Sequence, residues 1–520
     1  MIFDVVTGHD AMETLSRVLG DDRVDGNGRD ATRIAWLCGH DRLVLRVVAQ
    51  RAAALESLSL SDLVEQLADE RLKSERPVAA ADDLVNVRPA LSWAYRTLDE
   101  PLQRAFRRIG LHVGVDLGPG AAAALLGTSA AESADLMSGL ASAHLLHATS
   151  KGRFQMPAKL ASYARERSAA EDGPAERLES VRRGLGWYLR TADAGRSFAL
   201  PNSYPLPATG PDAVDVPGFD DHREVMEWFH EERPNLLTML SQASDLGIND
   251  IVWRLSVAIR GPLEVHSRWD DLEEVHRLGV AAARAVGDGR GEASNLLGLG
   301  DVHWRNDRYD AAGSCYRHVV RLGRDLADGG LEGYGMRGIG LVMMEASDIG
   351  AAVDHFLAAE ETFTASGQRH GEAAVLLNLA RCASITGDID EAVSLCHEAL
   401  LIFSEIDDLW SYAQGVLDLA WVAHDERRDA GVEAHLVEAA DIFAYFGDQL
   451  GANRAMASLE DLRHRGRASR RTRTDEIDLT REFPLEGAGP VTVARAAHRS
   501  SGRDRRVTPS PSGTRRSTTI

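Results

Sequence analysis

Two histidines and two acidic dipeptides are the side chains whose spacing could support chemistry. His144 and His147 lie three residues apart, so on a helix they would share one face, as metal-binding histidines can. No cysteine or carboxylate completes a ligand set around them, and packed or exposed histidines are the simpler interpretation. The acidic residues 270–271 and 273–274 could imitate a catalytic carboxylate pair, but on a helix they form a solvated face. The sequence therefore predicts neither a metal site nor catalytic residues.

Motifs that bind phosphate or activate a nucleophile do not occur in the sequence. A loop of the form GxxxxGK[ST] supplies glycines that let the backbone approach the phosphates and a lysine that reaches them. A GxSxG turn exposes a nucleophilic serine. Because neither motif is present, we expect a chain that is not an enzyme and that has no cofactor of its own.

Cysteine usage and hydropathy bear on where the protein works. The cysteines form no CxxC pair, which favours a reducing cytoplasm over a disulfide framework or a zinc site; they stand at positions 38, 315, 382 and 396. The sequence shows no signal peptide and no apolar run long enough to span a bilayer, so we expect a cytoplasmic protein that does not enter a membrane.

A repeat of constant period organises residues 291–450 and must position any functional surface. Its copies open at positions 291, 331, 371 and 411. One column holds the small residues Gly300, Gly340, Ala380 and Ala420, and a later column holds Phe363, Phe403 and Phe443. Small residues at a fixed period are typical of a solenoid, whose helical hairpins bury their apolar faces only against one another.

The column pattern resembles the tetratricopeptide repeat, although its period is longer than is usual for that repeat. The resemblance implies a concave face lined by the first helix of each hairpin. Arginine and tryptophan are common anchors of interfaces, so we predict a groove for a protein or peptide, with core packing as the alternative for each residue. The predicted groove residues are Arg305, Arg337, Asn378, Arg381, Trp421 and His424.

The fold class predicted from these patterns is all-α, in five segments. Residues 1–76 predict a helical bundle, with helices at 10–19, 28–37, 43–55 and 61–72 and Ser61 as the N-cap of the last. Residues 84–170 predict a winged-helix unit, with helices at 87–98, 101–109, 121–126 and 130–143 and a hairpin between 145 and 156.

The remaining three segments are a connector, the repeats and a tail. Residues 171–248 predict a helical connector with a Pro/Gly-rich loop over 198–221. Residues 249–462 contain the repeats, an α-solenoid with a degenerate first copy and a capping last helix. Residues 463–520 hold 14 arginines against six acidic residues, in a chain of net charge −21, and predict a disordered basic tail.

The first two segments resemble the helical and winged-helix units of STAND-class (NB-ARC) regulators, and those of AfsR-like regulators in particular. The segments that carry the resemblance are 87–98, 102–111, 140–146, 152–156 and 228–237. The resemblance implies a regulator with a nucleotide-binding core, which in the family precedes these units and would fall before residue 1.

Two nucleotide contacts of the family are altered here. Arg42 stands where the family's Gly-Leu-Pro-Leu motif has its proline, and Met156, Pro157 and Ala158 stand where the family has Met-His-Asp. Proline carries no side-chain donor for a diphosphate. We therefore expect no ADP or ATP binding unless a core is supplied elsewhere.

Three functions remain open on the sequence. The first is a non-catalytic regulatory or scaffold protein that binds a protein or peptide through its repeats. The second is a fragment or subunit of a signal-transduction NTPase whose core is missing from this chain. The third is a DNA-binding regulator that uses the winged helix, where Arg104, Arg107 and Arg108 form a thin basic patch, or the basic tail.

Overall fold

The computed structural model is almost entirely helical, which confirms the predicted all-α class. It describes residues 7–55, 57–73, 84, 86–149, 152–199, 216–422 and 429–472. Within these ranges the chain forms 24 helices and one two-stranded sheet. None of the helices described is long and apolar enough to cross a membrane.

Five helices form the N-terminal bundle. They are α1 (Gly8–Leu19), α2 (Asp21–Asp25), α3 (Gly28–Leu37), α4 (Arg42–Ala54) and α5 (Leu60–Lys73). The predicted cap Ser61 is wrong, because α5 has already begun at that residue. Ser59 Oγ accepts the Asp62 backbone N–H at 3.1 Å, while the Asp62 carboxylate accepts the Ser59 N–H at 3.3 Å. This reciprocal pair satisfies two free N–H groups at the helix start and fixes Ser59 as the N-cap.

The second unit combines four helices, a hairpin and a closing helix. Its elements are α6 (Arg88–Arg96), α7 (Glu100–Ile109), α8 (Pro119–Leu126), α9 (Ala130–Ser142), β1 (His147–Ala148), β2 (Phe154–Gln155) and α10 (Ala158–Glu171). The strands pair antiparallel, and Leu117 adds a bridge to Phe154. His144 lies in a turn with a positive φ of 58° while His147 lies on β1, so the two histidines do not share a helix face.

Two long helices connect this unit to the repeats. They are α11 (Pro174–Ala199) and α12 (His222–Asp245). The predicted Pro/Gly-rich loop lies largely outside the described residues, at 200–215. Pro234 lies inside α12, which continues through it as one helix.

The repeats begin with a broken copy, and the last helix of the described residues is a first helix. The first helix of the first copy is split into α13 (Asn249–Ala258) and α14 (Arg260–Val265). The later first helices are α16 (Gly289–Arg305), α18 (Gly329–Glu345), α20 (Arg369–Thr386), α22 (Leu409–Val422) and α24 (Gln449–Thr472). The second helices are α15 (Trp269–Val286), α17 (Tyr309–Asp325), α19 (Ile349–Ser366), α21 (Ile389–Glu405) and α23 (Asp429–Phe446). The later first helices begin at positions 289, 329, 369, 409 and 449, so the predicted period holds along the solenoid.

The end of the chain differs from the prediction. The helix α24 runs to Thr472, so the start of the predicted disordered tail, at 463–472, is helical. Residues 473–520 lie outside the described residues.

The turns between hairpins repeat as faithfully as the helices. A residue with positive φ follows α12 and each second helix, at Gly247, Gly287, Ala327, Gly367, Asp407 and Gly447. An aspartate then caps most of the following first helices; Asp288 Oδ1, for example, accepts the Gly291 N–H at 2.8 Å. The left-handed residue stops one helix and the aspartate starts the next, which keeps the hairpins in register.

The small-residue column exists because a second-helix side chain lies on it. A Cβ at Gly300 would lie 2.7 Å from the Tyr316 ring, and one at Gly340 would lie 2.5 Å from the Phe356 ring. In the next two copies alanine fills the column, and the corresponding second-helix residues are the smaller Cys396 and Leu436. The volumes therefore compensate from one copy to the next, as close packing requires.

The last complete hairpin is held against the connector. The His222 ring nitrogens at the start of α12 lie 2.8 Å from the Phe198 carbonyl oxygen and 3.0 Å from the Phe446 carbonyl oxygen at the end of α23. Phe446 also packs edge-on against the His222 ring, with ring centroids 4.4 Å apart. These contacts join the last complete hairpin of the solenoid to the connector helix α12.

Candidate functional site

A cavity of about 490 Å³ lies between the first helices of the repeats. Its walls come mainly from the consecutive first helices α14, α16, α18, α20, α22 and α24, with Phe403 from the second helix α21 and Asp408 from the turn before α22. A volume of this size is typical of ligand sites. Four of the six predicted groove residues line it: Arg305, Arg337, Asn378 and Arg381.

The other two predicted groove residues do not line the cavity. Trp421 occupies the repeat column of Asp301, Leu341 and Arg381, all of which do line it, but the Trp421 side chain is 54% exposed beyond the lining. An exposed indole in this column is free to contact a partner outside the cavity. His424 lies outside the described residues.

Three hydrogen bonds between neighbouring hairpins cross the cavity wall, and we call them the rungs. In the first, Arg260 Nη2 donates to Asp301 Oδ2 at 2.6 Å. In the second, Arg337 Nε donates to Asn378 Oδ1 at 2.8 Å. In the third, Arg381 Nη2 donates to Asp418 Oδ1 at 2.5 Å. Each rung ties one first helix to the next, so the same side chains shape the cavity and join the hairpins.

The first rung belongs to a denser group of charges. Glu264 lies one helical turn after Arg260, with Glu264 Oε2 at 3.4 Å from Arg260 Nε, and Glu264 Oε1 lies 3.8 Å from Arg305 Nη2. Burial raises the pKa of Glu264, but the nearby guanidinium groups outweigh it and hold that pKa below its usual value. Arg305 also stacks on the Trp269 ring at 4.5 Å. This end of the cavity is therefore ionised and fixed.

A chain of polar groups centred on His370 forms another part of the wall. The Tyr334 hydroxyl lies 2.8 Å from His370 Nδ1, and His370 Nε2 lies 3.3 Å from Ser411 Oγ and 3.6 Å from Asp408 Oδ2. Burial lowers the pKa of His370, and the charge of Arg337 lowers it further, against the opposing effect of Asp408. His370 is therefore neutral near pH 7 and serves as both donor and acceptor.

Several lining residues were missed by the sequence reasoning. His370 and Trp410 line the cavity and stand one repeat period apart, at the start of their first helices. The predicted groove columns covered only the later turns of these helices. Extending the repeat columns back towards the helix starts would have found both residues. Among the described residues, no group of three histidine, cysteine or acidic side chains is placed to hold a metal ion.

The residues at the altered nucleotide contacts lie close together in the structure. Arg42 begins α4 and Pro157 precedes α10, and the two helix starts are joined by an ion pair between Asp41 and Lys159. Asp41 is buried and also caps α4, accepting the Val44 N–H at 3.1 Å. Met156 packs partly buried against the core, and Ala158 is the first residue of α10.

Comparison with known proteins gives homologues for most of this chain. No family model matches. The regulatory protein AfsR of Streptomyces griseus is 28% identical over 462 residues, which cover 88% of this chain and 46% of the relative. AfsR of Streptomyces coelicolor is 27% identical, over 79% of this chain and 42% of the relative. The chain thus spans less than half the length of the curated relatives it matches.

A solved structure also matches. It is a STAND protein of Pyrococcus horikoshii with a tetratricopeptide repeat sensor, 12% identical, with a TM-score of 0.41 over 88% of this chain and 63% of that one.

Proposed function

Because this chain is homologous to the AfsR regulatory proteins, we propose that it is a regulatory protein that works without catalysis, binding a protein or peptide partner through its repeats. The observation that carries the proposal is the cavity of about 490 Å³ built by consecutive first helices. The cavity is open to a ligand, and its lining mixes polar and apolar side chains as binding sites do. We propose that it acts in the cytoplasm.

The lining supports a partner with both polar and apolar groups. Leucines, tryptophans and a buried tyrosine alternate there with arginines and carboxylates, as in Leu341, Trp304 and Tyr334 beside the rungs. Convergent polar groups within an apolar wall are what orient a ligand. The exposed Trp421 extends the same face beyond the cavity.

A residue that fills the cavity should block partner capture. Gln414 lines the cavity and is half-buried, so Gln414→Trp places an indole in the ligand's space. The full chain would be immobilised and exposed to extract from its own cells, with captured proteins identified by mass spectrometry.

The matched control is Arg317→Trp, which adds the same side chain at an exposed position of α17. We expect the wild type and Arg317→Trp to capture the same partner and Gln414→Trp to lose it, with similar melting temperatures for all three. Equal capture by Gln414→Trp would place the partner elsewhere on the chain.

We also propose that the chain on its own does not bind nucleotide, against the NTPase-fragment alternative. Pro157 offers no side-chain donor to a diphosphate, and Lys159, the nearest cation in sequence, already pairs with Asp41. Calorimetric titration of the full chain with ADP and with ATP is expected to show no heat of binding. A micromolar dissociation constant for either nucleotide would favour the NTPase alternative.

The arginines of the winged-helix unit favour a protein partner over DNA. Arg104 and Arg108 both bind Glu176, at 3.0 and 2.7 Å, and Arg107 binds Asp172 at 2.8 Å. Paired in this way, they offer little net charge to a phosphate backbone. Tight binding of a duplex by a variant truncated after residue 472 would contradict this, because the basic tail is then absent.

A further inference from the structure

The middle rung differs from its neighbours in charge. The first and third rungs end on aspartates, Asp301 and Asp418, whereas the second ends on Asn378, which has the shape of aspartate without the charge. We propose that this difference makes Arg337 an anion-binding residue, and that the partner is a peptide that places one carboxylate on it. The inference rests on the proposed function and names the chemistry of the ligand.

No carboxylate of the described cavity wall contacts Arg337 directly, although its charge reaches Glu264 and helps to lower the pKa of that residue. Among the described residues, no carboxylate oxygen lies within 4 Å of its guanidinium nitrogens, while Arg260 and Arg381 each have such a partner. Over the whole lining there are five arginines against four carboxylates, with His370 neutral. The cavity therefore has a single net positive charge, in a chain whose net charge is −21.

The geometry of the rung leaves Arg337 ready to bind. Only its Nε donates to Asn378, at 2.8 Å, so the four N–H groups of its two terminal nitrogens have no hydrogen-bond partner in the part of the chain described. Asn378 is buried, 5% exposed, and holds the guanidinium in place. A guanidinium fixed in this way can receive a carboxylate with two parallel hydrogen bonds and little further loss of entropy.

The surroundings favour a carboxylate on an apolar body over a phosphate. One monoanion balances the single net positive charge of the cavity, whereas a phosphate dianion would leave one excess negative charge among the four carboxylates. Leu297, Leu341 and Trp304 lie among the lining residues and can cover apolar side chains of the ligand. The carboxylate can come from the end of a peptide chain or from an aspartate or glutamate side chain.

Two hexapeptide libraries can test this proposal on the full chain. The peptides of both libraries are N-acetylated, and in each pool one position holds a single defined residue while the others vary. One library ends in a free carboxylate and the other in an amide. The proteins compared are the wild type, Asn378→Asp, Arg337→Gln and the control Arg317→Gln on the exposed face of α17. Asn378→Asp keeps the size of the side chain and the rung but neutralises Arg337, as Asp301 neutralises Arg260.

We expect the wild type and Arg317→Gln to enrich peptides that combine a carboxylate with bulky apolar residues. Binding of those peptides should weaken at least about tenfold in both Asn378→Asp and Arg337→Gln, because a charged hydrogen-bonded pair is lost. Asn378→Asp keeps the rung and should keep the melting temperature, while Arg337→Gln also breaks the rung and should lower it. Enrichment only from the free-acid library identifies a chain-end carboxylate, and enrichment from both libraries identifies an acidic side chain.

Two results would overturn the inference in different ways. Peptides that bind the wild type and Asn378→Asp equally would remove Arg337 as the anion site and leave the peptide-binding function standing. No retention of any hexapeptide by the wild type would contradict the peptide ligand itself, and with it the peptide form of the proposed function.

Discussion

Arg153 Nη1 donates to Glu232 Oε1 at 2.5 Å, and both side chains are buried. The pair joins the residue before β2, in the second unit, to α12 of the connector, far along the chain. Arg153 Nη2 also donates to Asp116 Oδ1 at 2.7 Å, and Asn235 Nδ2 donates to Glu232 Oε2 at 2.7 Å. The two segments that carry the family resemblance in this region, 152–156 and 228–237, therefore meet in one buried network.

Removing one member of this network should destabilise the chain strongly. Glu232→Ala leaves the Arg153 guanidinium buried without its main partner, and we expect a loss of about 3–5 kcal/mol in unfolding free energy. Urea unfolding followed by circular dichroism measures it. Glu274→Ala, which breaks the exposed pair with Arg277, should cost under about 1 kcal/mol. Similar costs for the two variants would show that the buried network does not hold the units together.

The helices and the period could be predicted from the sequence because local patterns encode them. Contacts between distant segments could not be predicted in this way. The Arg153–Glu232 pair is the clearest case, because the local sequence around either residue does not indicate its partner. The cap of α5 was misplaced for a local reason. Ser59 and Ser61 both precede most of the apolar positions, and only the reciprocal bond between Ser59 and Asp62 decides between them.

The cavity was only partly predictable. Four of the predicted groove residues lie on the lining, because the repeat period holds throughout. The rungs follow a different spacing: Arg260 and Arg337 reach 41 residues ahead, while Arg381 reaches 37. The partner that each arginine binds depends on side-chain rotamers and on competing partners. The repeat columns do not encode either.

The buried His276 makes stability depend on pH. It lies on α15 with Nδ1 3.0 Å from Asn295 Oδ1, and Nε2 is buried with no partner among the described residues. Burial, with a smaller effect from Arg260, lowers the pKa of His276 from 6.5 to about 4. The unfolded chain therefore takes up this proton first as pH falls, and the contribution of His276 is complete above pH 6.5 and shrinks towards pH 4.

We expect the wild type to lose up to about 1.4 kcal/mol per pH unit from this residue between those limits. His276→Asn should remove that slope, whatever its constant cost. Urea midpoints measured at half-unit steps for both proteins give the comparison. Parallel curves for the two proteins would mean that His276 is not responsible.

Gly340 should tolerate no side chain while its neighbour Phe356 is present. A Cβ at Gly340 would lie 2.5 Å from the Phe356 ring, which is fully buried. Gly340→Ala should therefore cost about 1–3 kcal/mol. Gly350→Ala makes the same change at the start of α19, where the nearest atom is 3.9 Å away, and should stabilise by up to about 1 kcal/mol.

A second substitution at Phe356 tests whether the cost of Gly340→Ala comes from the clash with the Phe356 ring. In the last copy, leucine stands opposite alanine, at Leu436 and Ala420. The double variant Gly340→Ala, Phe356→Leu reproduces this pair, so it should lose less stability than the sum of the losses in the two single variants. Thermal melting of the four proteins measures the coupling. Strict additivity would contradict the idea that the two columns compensate in volume.

Trp421→Ala and Phe403→Ala should differ in their effect on stability, and Phe403 also lines part of the cavity. Trp421 is 54% exposed on α22, while Phe403 on α21 is 1% exposed in the core. Trp421→Ala removes an indole that a partner can cover, and we expect it to weaken capture by about 2 kcal/mol or more without lowering the melting temperature. Phe403→Ala leaves a cavity in the core and should cost about 3–5 kcal/mol of stability.

Trp36 gives the matched control for Trp421, because it is 50% exposed on α3, in a different unit. Trp36→Ala removes the same side chain at nearly the same exposure, and partner capture should remain at the wild-type level. Binding isotherms for the captured partner, measured alongside thermal melts, report both properties for each variant. Equal loss of affinity in Trp36→Ala and Trp421→Ala would show that exposed indoles bind the partner nonspecifically. If Trp421→Ala leaves the affinity unchanged while Gln414→Trp still abolishes partner capture, the binding surface is confined to the cavity.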